Sequence, residues 1–164
     1  MRPTAVVDSS ALINLVHLGL IQNLRLYFDE IYVPKMVQTE VNRKGRFRYR
    51  LNKLYKQRVL TRCLAGNRVN VKLLAPLDEG EAEALVQASE IGAHVFIGDE
   101  PPAREMSERR GLRPIGTARL LARFHLEGYS DEPRLLVQRL RNEVAFRISD
   151  EIVDAAIQTA HEPI

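Results

Sequence analysis

The sequence is poor in the residues on which several common chemistries depend. It has a single cysteine, Cys63, so it can form no intramolecular disulfide and no cysteine-rich metal centre. Its four histidines show none of the spacings of a zinc site: they are His17, His94, His125 and His161. Neither G-x-x-x-x-G-K-S/T nor G-x-S-x-G occurs, which argues against a P-loop nucleotide hydrolase and a serine hydrolase with a nucleophile elbow.

Long apolar runs are also missing. The longest uncharged stretch, Ser9–Leu24, includes Asn14, His17, Gln22 and Asn23 and is too short and too polar to span a bilayer. The first ten residues lack the apolar segment and cleavage site of a secretory signal. We therefore expect a cytoplasmic protein without membrane insertion, in which residues 1–164 form a single domain.

Acidic residues are absent from one long stretch. Between Val41 and Leu77 there is no Asp or Glu, whereas eleven Lys and Arg residues occur there. The rest of the chain has 13 basic and 21 acidic residues, a net charge of −8. This segregation predicts a surface that attracts polyanions beside a region that concentrates carboxylates, the combination that a metal-dependent nuclease requires.

Short β-branched runs alternate with stretches of helical periodicity over most of the chain. The predicted strands are Ala5–Val7, Glu30–Val33, Val69–Leu74, His94–Gly98 and Arg113–Ile115. The first predicted helix follows Ser9-Ser10, which would form its N-cap. The other predicted helices cover about 20–28, 34–41, 51–64, 78–91, 101–110, 117–127, 133–143 and 149–160. The alternation predicts an α/β fold with an open parallel sheet covered on both faces, and a helical C-terminal extension at about 130–164.

Four acidic residues are candidates for one site. Asp8 and Asp99 each follow a predicted strand, where a parallel sheet places its ligands, and Glu40 and Glu81 lie on adjoining helices. Four clustered carboxylates repel one another unless they are protonated or bind cations. A site made only of oxygen ligands favours Mg²⁺ or Mn²⁺.

Each of these acids also has a purely structural interpretation. Asp8 and Asp99 suit helix N-caps, and Glu81 suits a capping box that begins at Asp78. Glu40 suits a solvent-exposed helix position. Spacing alone leaves both interpretations open.

Four stretches resemble, in order and spacing, the successive motifs of PIN-domain nucleases: VVDSSALINL, VPKMVQTEV, LDEGEAEALVQASEIGAHVFIGDEPPARE and GLRPIGTARLLARFHLEGY. They cover about residues 4–129 and look like the toxin subgroup with Asp-Ser-Ser after the first strand and Gly-Glu-x-Glu-Ala opening the central helix. The resemblance implies a three-layer α/β/α sandwich around the parallel sheet, and a divalent-metal site that hydrolyses RNA.

Carried over position by position, the resemblance assigns metal-binding and catalytic roles to Asp8, Glu40, Glu81 and Asp99, with Mg²⁺ or Mn²⁺ as cofactor. Glu81 is matched in preference to Glu83 because it lies eleven residues before Gly92, as in the family. The resemblance gives supporting roles to Ser10 and Thr117. The chain departs from the family at Glu100, where relatives commonly have Asp, and at the following Pro101-Pro102.

The basic segment, residues 43–65, lies outside these motifs. Its apolar residues recur at spacings of three and four, which predicts an amphipathic helix with a basic face ending near Gly66. We expect RNA phosphates to bind Arg43, Lys44, Arg46, Arg48, Arg50 and Lys53. Bases would then stack on Phe47, Tyr49 or Tyr55. A solvated basic face and aromatic residues in the core are the alternatives.

The sequence thus predicts a metal-dependent endoribonuclease and the toxin of a toxin–antitoxin pair, with an antitoxin protein as partner. The resemblance also implies a homodimer, for which the C-terminal helices offer four apolar residues: Leu135, Leu136, Leu140 and Val144. The same residues could equally close the core of a monomer. The alternative is a non-catalytic module that binds nucleic acid or protein and retains the fold. Such a module would tolerate loss of its acids without losing affinity.

Overall fold

The computed structural model describes residues 1–63, 77 and 79–164, with only the backbone at residues 79 and 80. Within this part of the chain five parallel strands form one sheet in the order β3-β2-β1-β4-β5. The strands are β1 (Thr4–Val7), β2 (Glu30–Val33), β3 (Thr61–Arg62), β4 (Val95–Ile97) and β5 (Arg113–Ile115). From β1 the chain first builds the sheet in one direction, to β2 and β3, and then in the other, to β4 and β5.

The described helices alternate with these strands and then continue alone. They are α1 (Ser9–His17), α2 (Lys35–Arg43), α3 (Arg48–Lys56), α4 (Glu79–Glu90), α5 (Pro101–Arg109), α6 (Thr117–Leu126), α7 (Pro133–Val144) and α8 (Asp150–Gln158). A short 3-10 helix, Ile21–Leu26, stands where the sequence predicted a helix over 20–28. No helix among the described residues is both long enough and apolar enough to cross a membrane.

Alternate side chains of the strands enter two different cores. Val6 and Phe96 pack with residues of α4 and α5 on one face of the sheet. Val7 and Ile97 pack with α1, α3, α6 and α7 on the other face. Because the central strands β1 and β4 are buried on both faces, apolar residues run continuously along them. The predicted three-layer α/β/α sandwich with additional C-terminal helices is confirmed.

The C-terminal helices pack onto the sandwich. α8 meets α6 through four small side chains, which allow the two helices to approach closely: Ala118, Ala122, Ala156 and Ala160. Leu136 and Leu140 of α7 are buried in the main core, and Val144 packs against it. The predicted dimer surface is therefore wrong for these side chains, whereas Leu135 remains 63% exposed.

The basic segment is not one helix. α3 ends at Lys56, because the backbone of Arg58 turns into the left-handed region and the amide of Val59 bonds back to the carbonyl of Leu54. Thr61–Arg62 then pairs with Tyr32 and Val33 of β2 as an edge strand. The prediction of a helix through residue 64 is wrong here, since β-branched Thr61 gains a sheet partner. The predicted strand Val69–Leu74 lies outside the described residues.

Candidate metal centre

The two aspartates predicted from the strand ends lie at the centre of the sheet edge. Asp8 follows β1 and Asp99 follows β4, and these two strands are neighbours with Val7 paired to Ile97. The order of strands reverses between β1 and β4, so the chain leaves the two carboxyl ends in opposite directions and opens a crevice between them. Open α/β sheets bind their ligands in such a crevice.

Asp8 is both a buried carboxylate and the N-cap of α1. Its Oδ1 accepts hydrogen bonds from the amide of Ala11 at 2.8 Å and from the hydroxyl of Ser10 at 3.3 Å. The predicted cap at Ser9-Ser10 is therefore displaced by one residue, because the carboxylate of Asp8 reaches the free amides of the first turn. Oδ2 accepts no hydrogen bond from any other described residue.

A glycine on β4 makes room for Asp8. A Cβ atom on Gly98 would lie 2.6 Å from Oδ2 of Asp8 and 2.5 Å from the ring of Phe96. Both distances are shorter than any contact that a real side chain makes, so this position accepts only glycine beside the carboxylate. The close approach brings Oδ2 of Asp8 against the end of β4.

Asp99 is held from the start of α6. Its Oδ1 accepts the amide of Thr117 at 2.7 Å and its Oδ2 accepts the hydroxyl of Thr117 at 2.6 Å. The amide nitrogen of Asn14, on α1, is 3.5 Å from the same Oδ2. Thr117 thus fixes the orientation of this carboxylate, as the resemblance implied for a supporting residue.

Burial raises the pKa of both aspartates. The pKa of Asp8 lies well above its usual value because the carboxyl is desolvated and because Asp99 and Glu81 repel its charge. The pKa of Asp99 is also raised by desolvation, although its bonds from Thr117 and the charge of Arg104 oppose the increase. The site therefore disfavours two adjacent negative charges and would gain from a cation.

Glu81 shares the mouth of this site. It lines, with Asp8, Ser10 and Glu100, a cleft of about 320 Å³. Glu83, the alternative that the resemblance rejected, is fully buried instead, where its Oε1 accepts the amide of Met36 at 3.0 Å. Glu83 thus ties α4 to the start of α2, whereas Glu81 lines the cleft.

Glu40 is the member of the predicted set that the structure does not join to the others. It lies half-buried on α2, which packs against both α1 and α4. It makes no hydrogen bond or ion pair with another described residue. Its placement is compatible with the side of the crevice, but its carboxylate makes no contact with the two aspartates.

The donor set fits a hard divalent cation. Asp8, Asp99 and Glu81 offer only oxygen atoms, which is the ligand type of Mg²⁺ and Mn²⁺. One oxygen of Asp8 is free of hydrogen bonds within the described chain, so it remains available as a ligand. Across residues 1–63, 77 and 79–164, no three Asp, Glu, His or Cys side chains lie close enough together to form a complete metal site.

Part of the basic segment lies away from these carboxylates. Arg43 ends α2, and the guanidinium of Arg50 donates to the carbonyl of Val16 near the end of α1. α1 begins at Ser9, directly after Asp8, and has nine residues, so its two ends are roughly 13 Å apart. All six predicted RNA-binding cations are exposed. Arg50 lies near the opposite end of α1 from Asp8, whereas Arg43 follows Glu40 by three residues on α2.

The aromatic residues of the basic segment differ in accessibility. Phe47 is 1% exposed and belongs to the core, so its predicted use in base stacking is wrong. Tyr55 packs against the same core, and the guanidinium of Arg62 covers its ring at 3.9 Å. Tyr49 is 80% exposed and keeps the proposed role.

Three contributors to the site were not predicted. Gly98 and Asn14 contact the carboxylates directly, and Arg104 donates to the carbonyl of Gly98 at 3.2 Å beside Asp99. A polar asparagine inside the apolar run of α1 was the available signal, since it lies four residues after Ser10 on the same helix face. Arg104 gave no comparable signal, because arginine is common on helix surfaces.

Comparison with known proteins agrees with this geometry. A family model described as a PIN domain matches residues 4–162, and no curated protein matches the chain. The fold is similar to that of a PilT N-terminus domain protein, SSO1118, from the archaeon Sulfolobus solfataricus P2. That similarity has a TM-score of 0.54 and 18% identity, and covers 79% of this chain and 98% of that chain. PIN domains are generally nucleases. The chain belongs to the PIN-domain family.

Proposed function

We propose that this protein is a divalent-metal-dependent endoribonuclease whose site comprises Asp8, Asp99, Glu81 and Glu40. The observation that carries the proposal is the pair of neighbouring aspartates at the ends of β1 and β4. Asp8 is buried and Asp99 is partly buried, both have a raised pKa, and one oxygen of Asp8 accepts no hydrogen bond from another described residue. Desolvating two neighbouring carboxylates without a cation costs stability, so their presence at a crevice favours a functional site.

The protein's own residues prepare this site for a phosphodiester. Ala11 and Ser10 hold one oxygen of Asp8, and Thr117 holds both oxygens of Asp99, so neither carboxylate needs to reorient. When bound there, Mg²⁺ or Mn²⁺ lowers the pKa of an attacking water and stabilises the leaving oxygen. The aspartates would act as ligands rather than as nucleophiles.

The substrate and biological role are parts of the same proposal. RNA as the substrate and a toxin role opposed by an antitoxin both follow from the resemblance of the Asp-Ser-Ser and Gly-Glu-x-Glu-Ala motifs. A toxin should arrest the growth of cells that express it, and the Asp99→Asn variant should not. Growth arrest by both proteins would contradict a role that depends on the site.

Cleavage of single-stranded RNA with Mn²⁺ tests the catalytic assignment. We expect the natural chain to cleave, and cleavage to be lost with EDTA or in Asp99→Asn. Asp131→Asn is the matched control, because Asp131 is exposed and its carboxylate makes no hydrogen bond or ion pair with another described residue. Full activity of Asp99→Asn would contradict the proposal, and RNA binding without cleavage by the natural chain would favour the non-catalytic module.

A further inference from the structure

A second, larger groove begins at the carboxylate site. It has a volume of about 1130 Å³ and follows β5 from Asp99 and Gly116 to the inner side of α8 and the chain's last residues. This volume slightly exceeds the roughly 300–1,000 Å³ of ordinary small-ligand sites, so a segment of a polymer has room in the groove. Because Asp99 lines it, an occupant of the groove would reach the metal-binding candidates.

The walls combine apolar surface with charged side chains of both signs, the acidic ones being Asp99, Glu100 and Glu162. Its apolar side chains include Ile115, Ile148 and Ile152, and its four arginines are Arg104, Arg113, Arg119 and Arg147. Arg119 is engaged by Thr159 and the carbonyl of Glu162. The side chains of Arg113 and Arg147 are exposed and make no hydrogen bond or ion pair within the described chain.

The edge of the sheet in this groove does not favour an added peptide strand. The amide of Arg113 donates to the carbonyl of His94, and the carbonyl of Ile115 accepts from the amide of Gly98. Both residues thus bond to β4 and its flanking residues rather than to the open edge. Pro114 lies between them and has no N–H to offer an incoming strand. Unpaired arginines and apolar walls instead match phosphates and bases.

We propose that this groove holds the nucleotides of a single-stranded RNA next to the cleaved bond, with Arg113 and Arg147 contacting phosphates. This inference rests on the proposed function, since it assigns the path of the same substrate. It also supplies cationic contacts in the groove that Asp99 lines, whereas Arg50 of the basic segment lies near the far end of α1. The C-terminal helix α8 then forms one wall of the substrate path.

The test is RNA binding across a salt series, measured in an Asp8→Asn background so that no cleavage occurs. The probe is a short fluorescein-labelled single-stranded RNA of mixed sequence. Arg113→Gln with Arg147→Gln should flatten the slope of log K against log salt by about 1.4, since each phosphate contact contributes about 0.7. The matched control is Arg134→Gln with Arg139→Gln on α7, which removes the same charge outside the groove and should leave the slope unchanged.

A second variant tests the groove itself rather than the arginines. Ile152 is 54% exposed on the groove wall, so Ile152→Asp adds a negative charge without disturbing the core. We expect it to weaken RNA binding. Salt slopes and RNA affinities equal to those of the control in both variants would overturn the proposal. A protein partner would then be the alternative occupant of the groove.

The outcomes for the groove and for catalysis remain separate. RNA that binds in the groove of a chain that never cleaves would contradict the proposed function alone. Cleavage by the natural chain, together with an unchanged salt slope in the arginine variant, would contradict only the proposal that RNA binds in the groove. Loss of affinity in the arginine variant but not in Ile152→Asp would also contradict that proposal, because the arginines would then attract RNA from outside the groove.

Discussion

Two demands act on the carboxylate of Asp8 in opposite directions. As the N-cap of α1 it is stabilised by the amide of Ala11 and by the positive end of the helix. As a buried neighbour of Asp99 and Glu81 it is destabilised by desolvation and by charge repulsion. Its raised pKa shows that the second influence is the larger one in the metal-free protein.

Substitution separates these two effects. Asp8→Asn keeps an acceptor for the amide of Ala11 and removes the charge, so we expect a higher melting temperature than the natural chain in EDTA at pH 7. Asp8→Ala also removes the cap and should be about 1 kcal/mol less stable than Asp8→Asn. Thermal melts in EDTA measure both differences in stability. A melting temperature of Asp8→Asn below that of the natural chain would show that the cap outweighs the repulsion.

The same pKa shifts predict how stability depends on pH. The unfolded aspartates titrate near 3.8, and both folded values are higher, so the folded state binds more protons above pH 3.8. This contribution favours folding most at low pH and is lost as pH rises towards the folded values. The metal-free natural chain should therefore gain stability, relative to an Asp8→Asn, Asp99→Asn variant, when pH falls from 7 to 4.

Denaturant unfolding at several pH values in EDTA measures this difference. Comparison with the double variant cancels the other titrating groups, such as Glu143, whose pKa is lowered mainly by its bond to His17. A stability difference that stays constant with pH would contradict the raised pKa values of the two aspartates.

At the level of elements, two arginines of α6 hold the end of α8. Arg123 donates to the carbonyls of Ala160 and His161, each at 3.1 Å, and Arg119 donates to the carbonyl of Glu162 at 3.1 Å. Carbonyls that follow a helix lack partners within the helix, and cations are favourable there. This contact fixes the wall of the groove beside β5.

Removing this contact should loosen α8. Arg123→Met keeps an unbranched apolar stem but loses the charged hydrogen bonds, so we expect a cost of about 1.5–3 kcal/mol and faster hydrogen exchange in α8. Arg134→Met is the control, because its ion pair with Asp154 of α8 is more than half exposed and should contribute less than about 1 kcal/mol. Equal effects of the two substitutions would contradict a specific role for Arg123.

The basic segment makes a prediction of its own at this scale. If it binds RNA beyond the site, Arg46→Gln with Arg48→Gln should flatten the salt slope for a long RNA by about 1.4. Both side chains are exposed, so the fold should be unaffected. Titration of a non-cleaving variant at several salt concentrations gives the slope. No change would indicate a solvated surface or a partner-binding face.

Sequence reasoning was most successful where periodicity and strand-end acids agree. The central strands and the helices from Glu79 onward matched their predicted positions, because burial on both faces leaves a clear apolar pattern. It failed at Thr61–Arg62, where pairing with β2 overrides a helical spacing, and at Phe47, where burial depends on packing between distant elements. The contact of Gly98 with Asp8 could not be predicted either, since it depends on the register between β1 and β4.

At the scale of the whole molecule, topology brings the acids together. The reversal of strand order between β1 and β4 places Asp8 and Asp99 on adjacent strands, although they are distant in the sequence. α1 is roughly 13 Å long, with Asp8 of this acidic crevice directly before its first residue and Arg50 of the basic segment near its last turn. The net charge of +3 therefore conceals two regions of opposite sign.

The central claim is that Asp8 and Asp99 hold a divalent cation, and calorimetric titration with Mn²⁺ tests it most directly. We expect the natural chain to bind Mn²⁺, the Asp131→Asn control to bind equally well, and Thr117→Val to bind about tenfold more weakly because Asp99 loses an orienting bond. Asp8→Asn and Asp99→Asn should show no binding while remaining folded. Binding by both of these variants with the affinity of the natural chain would contradict the account.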